Sequence, residues 1–402
     1  MRYVIVGAGL AGVSAAAAIR ERDPDGSILL LGAEEHAPYD RPPLTKKLWT
    51  GGKTVAQIQL RERGWYEANG INLALGSPAT AFDPAAKTVT DAHGRVAPYD
   101  ALLLAPGGAP RRLPIPGGDL SEVRYFRTLD DYLRLRQDAE PGRSALVIGG
   151  GFISCELAAA LAMNKIAVTM LFPGSTPCRR LFPESLGAAL RRLYELHGVR
   201  LLAGDVPVEI KRTGSRLETR TRAGHVVRTD LIAAGVGLSP ETELARRAGL
   251  LVEDGIQVDE RLRTSVPNVY AAGDAASFPC AALGRRWRFE HWDNAMRQGA
   301  AAGRNMSAGR ETYAHLPYFF SDLFDFGYEA VGEIDSGLET LCDWREENRV
   351  GIVYYLKDTR VRGVLACGLW NRMEAARALI RSGKAVKPDD LKGLFLDPAI
   401  IS

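Results

Sequence analysis

The chain has 402 residues, of which 46% are hydrophobic and 25% are charged, as in a globular protein with about two or three domains. Its formal net charge of +3 is too small to indicate a nucleic-acid partner, and no apolar run reaches the roughly 18 residues of a membrane span. Five cysteines stand without the spacing of metal ligands or of a CxxC motif, so we expect no metal site and a cytoplasmic protein with reduced thiols.

The first predicted elements form a β-α-β unit around a glycine-rich loop. The loop glycines are Gly7, Gly9 and Gly12. A β-branched strand at 3–6 precedes them, an alanine-rich helix follows, and an apolar strand at 28–31 closes the unit. Glu34 stands 22 positions after the last glycine, and Glu35 is an alternative. Such a loop lets the backbone approach a pyrophosphate, while the carboxylate bonds a ribose hydroxyl.

A proline-rich segment at 38–46 comes next, and a buried strand at 102–104 follows it. Arg41 and Lys46 supply two cations within reach of a dinucleotide, although composition alone also fits a basic surface loop.

The same pattern then recurs, which predicts a second nucleotide site. Its elements are a strand at 145–148, a loop with Gly149, Gly151 and Ser154, a helix at 156–163 and a strand at 167–172. Ser154 replaces the glycine that normally allows close packing of helix on strand. We expect a backbone hydrogen bond or a small shift to accommodate its hydroxyl.

The remaining elements complete the predicted architecture. Strands at 230–234 and 269–274 return to the first domain, and from about residue 313 short aromatic segments predict an antiparallel sheet, with a helix at 372–381. Apolar strands that alternate with helices are typical of a parallel sheet covered on both faces. The predicted fold class is therefore α/β, with two Rossmann-like dinucleotide-binding domains and a C-terminal α+β domain.

These ordered motifs resemble the FAD-dependent pyridine-nucleotide oxidoreductases, which include ferredoxin and rubredoxin reductases, monodehydroascorbate reductase and apoptosis-inducing factor. The segment 38–46 is similar to a proline-rich motif of that family, and Lys46 falls on its lysine. The likeness continues through 110–114, the second glycine loop, 235–240, 270–274, 290–299 and 317–322, and 370–373 is similar to the apoptosis-inducing-factor branch.

The resemblance implies that the first loop holds FAD and that the second admits a nicotinamide nucleotide, with NADH as the expected donor and NADPH as an alternative. A nicotinamide gives two electrons as hydride, whereas a flavin can release them singly. The implied domains are a FAD-binding domain at 1–112 and 233–312, an inserted NAD(P)-binding domain at 113–232, and the C-terminal domain at 313–402.

The resemblance also implies residue roles. Lys46 and Glu156 would form an ion pair close to flavin N5, where hydride arrives, and are the candidate catalytic residues. Asp274 would bind the ribityl or pyrophosphate part of FAD, and a helix that begins near Trp292 would direct its positive end at the flavin carbonyls. The expected cofactor-binding residues are Gly7, Gly9, Gly12, Glu34, Arg41, Lys46, Arg111, Gly149, Gly151, Ser154, Gly237, Gly273, Asp274, Glu290, His291, Trp292 and Phe320.

One departure from the family concerns the choice of donor. NAD-preferring relatives carry a glutamate at the end of the second strand of the inserted domain, where this chain has Phe172, Pro173 and Gly174. Arg179 and Arg180 follow and would accommodate a 2′-phosphate. The choice between NADH and NADPH stays open at this point.

A second departure concerns cysteine. Residues 7–60 contain none, so the redox cysteine of the disulfide-exchanging relatives is absent, and we expect Cys155 to have a packing role. Electrons should leave to an external acceptor: a small acidic ferredoxin- or rubredoxin-type protein, or a diffusible molecule. The alternative is a redox-sensing or scaffold flavoprotein with slow turnover, like apoptosis-inducing factor. We expect a monomer or a homodimer.

Overall fold

A computed structural model describes residues 1–396 and shows two compact units. The first unit comprises Met1–Asp40, Val55–Ala109 and Ser239–Pro317, and the second comprises Arg41–Thr54, Pro110–Leu238 and Tyr318–Ser402. The last residues of the predicted C-terminal domain, 397–402, lie outside the described residues. The domain limits expected from the sequence differ from those of the units and stay a prediction.

The helices are α1 (Leu10–Arg22), α2 (Arg63–Ala68), α3 (Leu129–Asp138), α4 (Phe152–Met163), α5 (Glu184–Leu196), α6 (Glu243–Arg247), α7 (Trp292–Met306), α8 (Met373–Ser382) and α9 (Pro388–Leu391). Helix α4 begins at Phe152, immediately after the second glycine loop and earlier than the predicted start at 156. No helix within residues 1–396 combines the length and the apolar character needed to cross a membrane.

The strands are β1 (Arg2–Val6), β2 (Ser27–Leu31), β3 (Ile71–Ala74), β4 (Ala79–Asp83), β5 (Thr88–Asp91), β6 (Val96–Pro98), β7 (Ala101–Leu104), β8 (Gly108–Pro110), β9 (Val123–Tyr125), β10 (Ser144–Ile148), β11 (Ala167–Phe172), β12 (Arg200–Ala203), β13 (Pro207–Thr213), β14 (Arg216–Thr221), β15 (Val226–Thr229), β16 (Leu231–Ala234), β17 (Leu238–Pro240), β18 (Val252–Glu253), β19 (Gly255–Gln257), β20 (Val269–Ala271), β21 (Ala276–Cys280), β22 (Arg285–Trp287), β23 (Tyr318–Leu323), β24 (Phe326–Gly332), β25 (Glu339–Glu346), β26 (Val350–Lys357) and β27 (Arg360–Cys367).

The first unit is built on a parallel sheet in the order β20-β7-β1-β2-β3. Its central strands are continuous apolar runs because both faces are covered; Leu102 and Leu103, for example, are fully buried. Since β2 and β7 flank β1 on opposite sides, the strand order reverses at β1. Ligands bind at such a reversal, beyond the carboxyl ends of the strands, and this is where the first glycine loop lies.

Helix α7 packs backbone to backbone on α1 in this unit. A Cβ atom added to Gly299 would lie 2.1 Å from the carbonyl oxygen of Ala11, and one added to Gly303 would lie 2.4 Å from that of Ala15. Only glycine permits this approach, so the two glycines hold α7, from its middle onward, against the first turns of α1.

The second unit repeats the parallel arrangement, with the order β12-β11-β10-β16-β9, and adds the antiparallel sheet β13-β14-β15. The strand predicted at 230–234 is β16, and the prediction that it returns to the first domain is wrong, because it pairs with β10 and β9 in this second sheet. Its C-terminal part is an antiparallel sheet in the order β23-β24-β27-β26-β25, against which α8 packs. The repeated glycine-loop units and the separate C-terminal sheet agree with the predicted α/β fold class.

Candidate active site

The glycines of the first loop serve two different purposes. Gly7 has φ +111°, and a Cβ atom on it would lie 2.0 Å from the carbonyl oxygen of Ala105. A Cβ atom on Gly12 would lie 2.0 Å from the carbonyl oxygen of Gly7, so the fold itself requires both residues. A Cβ atom on Gly9, by contrast, would meet nothing within 4 Å. Gly9 also begins α1 without a side-chain cap, so open space and uncapped N–H groups coincide there and fit a pyrophosphate.

Three segments of the first unit meet beside this loop. Gly273, with φ +77°, would place a Cβ atom 3.1 Å from Cβ of Ala11 and 3.9 Å from Cβ of Ala295. The turn that carries Asp274 therefore lies against the first turns of α1 and α7. The N–H of Gly273 donates to Oε1 of Gln298 at 2.9 Å, and Nε2 of Gln298 is buried with no partner among residues 1–396.

The predicted ribose partner is half-buried. The hydroxyl of Tyr39 donates to Oε2 of Glu34 at 2.6 Å, which orients that carboxylate, whereas Glu35 is exposed. Glu34 is thus the better-placed of the two candidates. In the same unit, Nε1 of Trp292 donates to Oδ1 of Asp40 at 2.7 Å.

The start of α7 presents an uncharged imidazole. His291 precedes the helix and provides no side-chain cap. Burial lowers its pKa to about 4, against the opposing effect of the Asp274 and Asp293 carboxylates. Glu290 is exposed and forms an ion pair with Arg288 at 2.6 Å, an interaction that the sequence pattern does not indicate.

The second loop repeats the geometry of the first. Gly149 has φ +120°, and a Cβ atom on it would lie 2.4 Å from the carbonyl oxygen of Gly235, whereas one on Gly151 would meet nothing within 4 Å. Ser154 stands where the first loop has its third glycine, Gly12, and its side chain is fully buried. Its hydroxyl donates to the carbonyl oxygen of Gly235 at 2.9 Å. The expected backbone hydrogen bond therefore accounts for the serine.

Lys46 and Glu156 form the predicted ion pair inside the second unit. Nζ of Lys46 lies 3.1 Å from Oε1 of Glu156, and both side chains are nearly buried. Ser321 donates its hydroxyl to the same carboxylate oxygen at 2.5 Å, and Thr45 donates to Oε2. The ammonium also lies 4.4 Å from the ring centre of Phe320 and 3.4 Å from its carbonyl oxygen. A buried charge pair is tolerated when such additional bonds satisfy it.

Three further predicted residues also lie in the second unit. Arg41 donates from Nη1 to the carbonyl oxygen of Arg127 at 2.8 Å. Arg111 donates from Nε to the carbonyl oxygen of Leu238 at 3.1 Å. The main-chain N–H of Arg111 donates to the carbonyl oxygen of Gly237 at 2.9 Å. Arg111 and Gly237 are therefore brought together, and each arginine is partly held by a main-chain carbonyl.

Comparison with known proteins identifies the family to which the chain belongs. A family model described as pyridine nucleotide-disulphide oxidoreductase matches residues 1–299, and one described as apoptosis-inducing factor, mitochondrion-associated, C-term matches residues 302–350. The chain belongs to the pyridine nucleotide-disulphide oxidoreductase family. Its expected nature, an oxidoreductase that uses FAD and a nicotinamide nucleotide, is confirmed by this membership.

Individual members of the family are similar over almost the whole chain. The ferredoxin--NAD(+) reductase component of the anthranilate 1,2-dioxygenase system of Burkholderia cepacia is 35% identical over 97% of this chain and 96% of its own. A chain from the crystal structure of the covalent putidaredoxin reductase-putidaredoxin complex has a TM-score of 0.91 at 30% identity, over 99% of this chain and 96% of its own. A ferredoxin reductase from Rhodopseudomonas palustris has a TM-score of 0.92 at 28% identity, over 99% and 98% of the two chains. The predicted fold class is confirmed by these neighbours.

Although the family name refers to disulphides, Cys155 and Cys178 are buried as two separate thiols. Sγ of Cys155 lies 3.8 Å from Sγ of Cys178, well beyond the roughly 2.05 Å of a disulfide bond, and both side chains are buried. The hydrogen bond with Cys155, together with burial, raises the pKa of the Cys178 thiol, which disfavours the reactive thiolate. The spacing of these cysteines in the sequence does not indicate that they meet.

The predicted site residues divide between the units, each of which brings its own set together. The first unit holds Gly7, Gly9, Gly12, Glu34, Gly273, Asp274, Glu290, His291 and Trp292. The second holds Arg41, Lys46, Arg111, Gly149, Gly151, Ser154, Glu156, Gly237 and Phe320. Sequence reasoning missed Thr45 and Ser321, which complete the bonding of Glu156.

Proposed function

We propose that this family member takes hydride from NAD(P)H and passes electrons to a small iron–sulfur protein of the ferredoxin type. The observation that carries the proposal is the pair of glycine loops, each with one glycine, Gly9 or Gly151, whose missing side chain leaves open space at an uncapped helix start. Two such loops accommodate two dinucleotides, as transfer from a nicotinamide to a flavin requires.

The first unit has the residues to hold FAD. The main chain at Gly9 and the N-terminus of α1 would bind the pyrophosphate, and Glu34 would accept a hydrogen bond from the ribose. Asp274 and the uncapped start of α7 would bind the remainder of the cofactor. When bound, FAD accepts two electrons as a hydride and can release them one at a time.

The second unit has the residues to hold the donor. Gly151 and the start of α4 repeat the open arrangement, and Ser154 keeps the helix against the strand through its bond to Gly235. The donor's pyrophosphate would accept hydrogen bonds from the main chain here, as at the first loop.

The Lys46–Glu156 pair is proposed to act on the electrostatics of the reacting ring. Burying two charges is costly unless all their bonding capacity is used, and Thr45 and Ser321 supply the missing donors to the carboxylate. The carboxylate in turn fixes the Lys46 ammonium over Phe320. We therefore assign Lys46 and Glu156 to catalysis and Thr45 and Ser321 to their positioning.

The acceptor is assigned by analogy to relatives whose names specify a ferredoxin or putidaredoxin. One observation favours a second function: the match of residues 302–350 to the C-terminal model of apoptosis-inducing factor is compatible with a redox-sensing or scaffold protein that turns over slowly. A cytoplasmic location, an acidic partner and a monomeric or homodimeric state are part of the same proposal.

Reoxidation of the reduced holoprotein separates these functions. The protein is reduced with one equivalent of donor and mixed with an oxidised ferredoxin-type protein, a rubredoxin, a quinone, or buffer containing dioxygen. We expect the ferredoxin-type protein to restore the flavin absorbance at least about tenfold faster than dioxygen, a barrier difference of about 1.4 kcal/mol. Equal rates with all acceptors would refute electron delivery to a protein and favour the scaffold function.

A further inference from the structure

The two glycine-loop units can be compared position by position because their strands pair in the same way. In the first sheet, the last residue of the second strand (β2) that pairs with the first strand (β1) is Leu31, opposite Val6. In the second sheet, the last residue of β11 that pairs with β10 is Leu171, opposite Ile148. Glu34 and Gly174 each lie three residues further along the chain. Gly174 therefore occupies the position equivalent to Glu34, whose carboxylate we assign to a ribose hydroxyl.

An arginine covers this position. A Cβ atom added to Gly174 would lie 3.1 Å from Cβ of Arg179 and 3.6 Å from its Cγ. The N–H of Cys178 donates to the carbonyl oxygen of Gly150 at 2.8 Å, so the segment that carries Arg179 lies directly against the second glycine loop. The basic side chain thus lies beside the position where the first unit has an acidic one.

The Arg179 side chain is supported but not neutralised. Its Nη1 donates to the hydroxyl of Ser336 at 3.2 Å, and that hydroxyl donates to the carbonyl oxygen of Arg179 at 2.7 Å. The N–H of Ser336 bonds to the carbonyl oxygen of Arg180 at 2.9 Å. Within residues 1–396 no carboxylate pairs with the exposed Arg179 guanidinium, which keeps its charge for an incoming anion.

We infer that the second nucleotide site recognises a 2′-phosphorylated adenosine ribose, with Arg179 as the residue that determines specificity. The inference rests on the proposed use of the second loop for the hydride donor. A carboxylate at this position bonds the ribose 2′-hydroxyl and repels a 2′-phosphate, whereas an arginine accommodates the phosphate. A guanidinium can also give a phosphate two parallel hydrogen bonds. NADPH is therefore the preferred donor, unlike the NAD(+) in the name of the Burkholderia cepacia relative.

Binding of donor fragments tests the inference without any electron transfer. Calorimetric titration of the FAD-loaded protein compares adenosine 2′,5′-bisphosphate with adenosine 5′-monophosphate. We expect the bisphosphate to bind at least about tenfold more tightly, because charge-assisted hydrogen bonds to the second phosphate add to the affinity. Arg179→Ala should reduce the difference to less than about threefold with little change for the monophosphate.

Two further variants sharpen the result. Arg200→Ala removes an exposed arginine at the amino end of β12, in the same sheet but away from the carboxyl ends of the strands, and should leave both affinities unchanged. Gly174→Glu combined with Arg179→Ala introduces the carboxylate and removes the guanidinium, and should make the monophosphate the tighter ligand. The new Cβ atom at position 174 would still lie 3.1 Å from the Cβ atom at position 179, so a shift of a few tenths of an ångström accompanies the double substitution.

The outcomes separate the inference from the proposed function. If the wild type binds both fragments equally, recognition of the 2′-phosphate is refuted and the donor site stands. An unchanged bisphosphate advantage in Arg179→Ala would refute the role of that residue. If neither fragment binds to the FAD-loaded protein, the donor site assigned to the second loop is itself wrong.

Discussion

Gly9→Ala separates binding of FAD from stability of the fold. A Cβ atom at Gly9 would meet nothing within 4 Å, and the backbone angles φ −82° and ψ −172° suit any residue. The substitution should therefore leave the folded chain intact. It should even stabilise the chain by about 0.4–1 kcal/mol, because alanine restricts the unfolded state more than glycine does.

The same methyl group should weaken FAD binding, because it occupies the space through which the pyrophosphate approaches the main chain. Forcing a methylene into a close-packed contact costs about 1–3 kcal/mol, so we expect an affinity loss of roughly 5- to 150-fold. Flavin absorbance per protein after purification, titration of the apoprotein with FAD, and urea unfolding of the apoprotein measure the separate effects.

Gly12→Ala and Gly151→Ala are matched controls. A Cβ atom on Gly12 would lie 2.0 Å from the carbonyl oxygen of Gly7, so that variant should lose stability and FAD together. Gly151 is as open as Gly9 but belongs to the second loop, so its alanine variant should keep its FAD and bind the donor less well. Unchanged FAD affinity in Gly9→Ala would refute the assignment of the pyrophosphate to this loop.

Three other substitutions give distinct outcomes. Cys155→Ala should change the rate of flavin reduction by less than about tenfold, or about 1.4 kcal/mol, because we expect this buried thiol to have a packing role. A thiol-dependent charge-transfer band in the reduced wild type would contradict this. Ser154→Ala leaves the carbonyl oxygen of Gly235 without its hydroxyl donor and should lower the free energy of unfolding by about 1–3 kcal/mol. Urea unfolding measures this effect, and an unchanged free energy would show that the hydrogen bond contributes nothing to stability. His291 has its pKa lowered to about 4, so between there and the ordinary value of 6.5 the unfolded chain binds a proton that the folded chain does not. The free energy of unfolding should thus fall by on the order of 3 kcal/mol as the pH drops through this window, and it should not depend on this group at higher pH. His291→Gln should flatten this pH dependence. Identical pH slopes of the unfolding free energy in the wild type and in His291→Gln would contradict the assignment.

Local patterns in the sequence were sufficient to predict the glycine-loop units. Strand β1, the loop from Gly7 to Gly12 and helix α1 are neighbours in the chain, so hydrophobic periodicity and glycine spacing identify them together. The helix predicted at 372–381 is α8, shifted by one residue, because frayed helix ends leave little trace in composition.

Contacts between distant segments were not predictable in this way. The carboxylate of Glu156 receives hydroxyl groups from Thr45 and Ser321, which come from opposite parts of the chain, and no spacing rule connects them. The approach of Cys155 to Cys178 is likewise set by the fold.

One packing contact did have a sequence signal. Gly299 and Gly303 stand four residues apart, a pattern that allows close approach of two helices, and the structure uses it to hold α7 on α1. Sequence reasoning treated Gly299 only as the end of the family motif at 290–299 and did not use Gly303.

Anaerobic mixing of the purified protein with NADPH or NADH in a stopped-flow spectrometer tests the central claim most directly. We predict that the protein is yellow with non-covalently bound FAD and that the donor bleaches the flavin at a rate of at least about 1 per second, the lower end of typical enzyme turnover. A well-folded protein that neither contains FAD nor takes it up, or whose flavin is bleached by neither donor, would contradict the account.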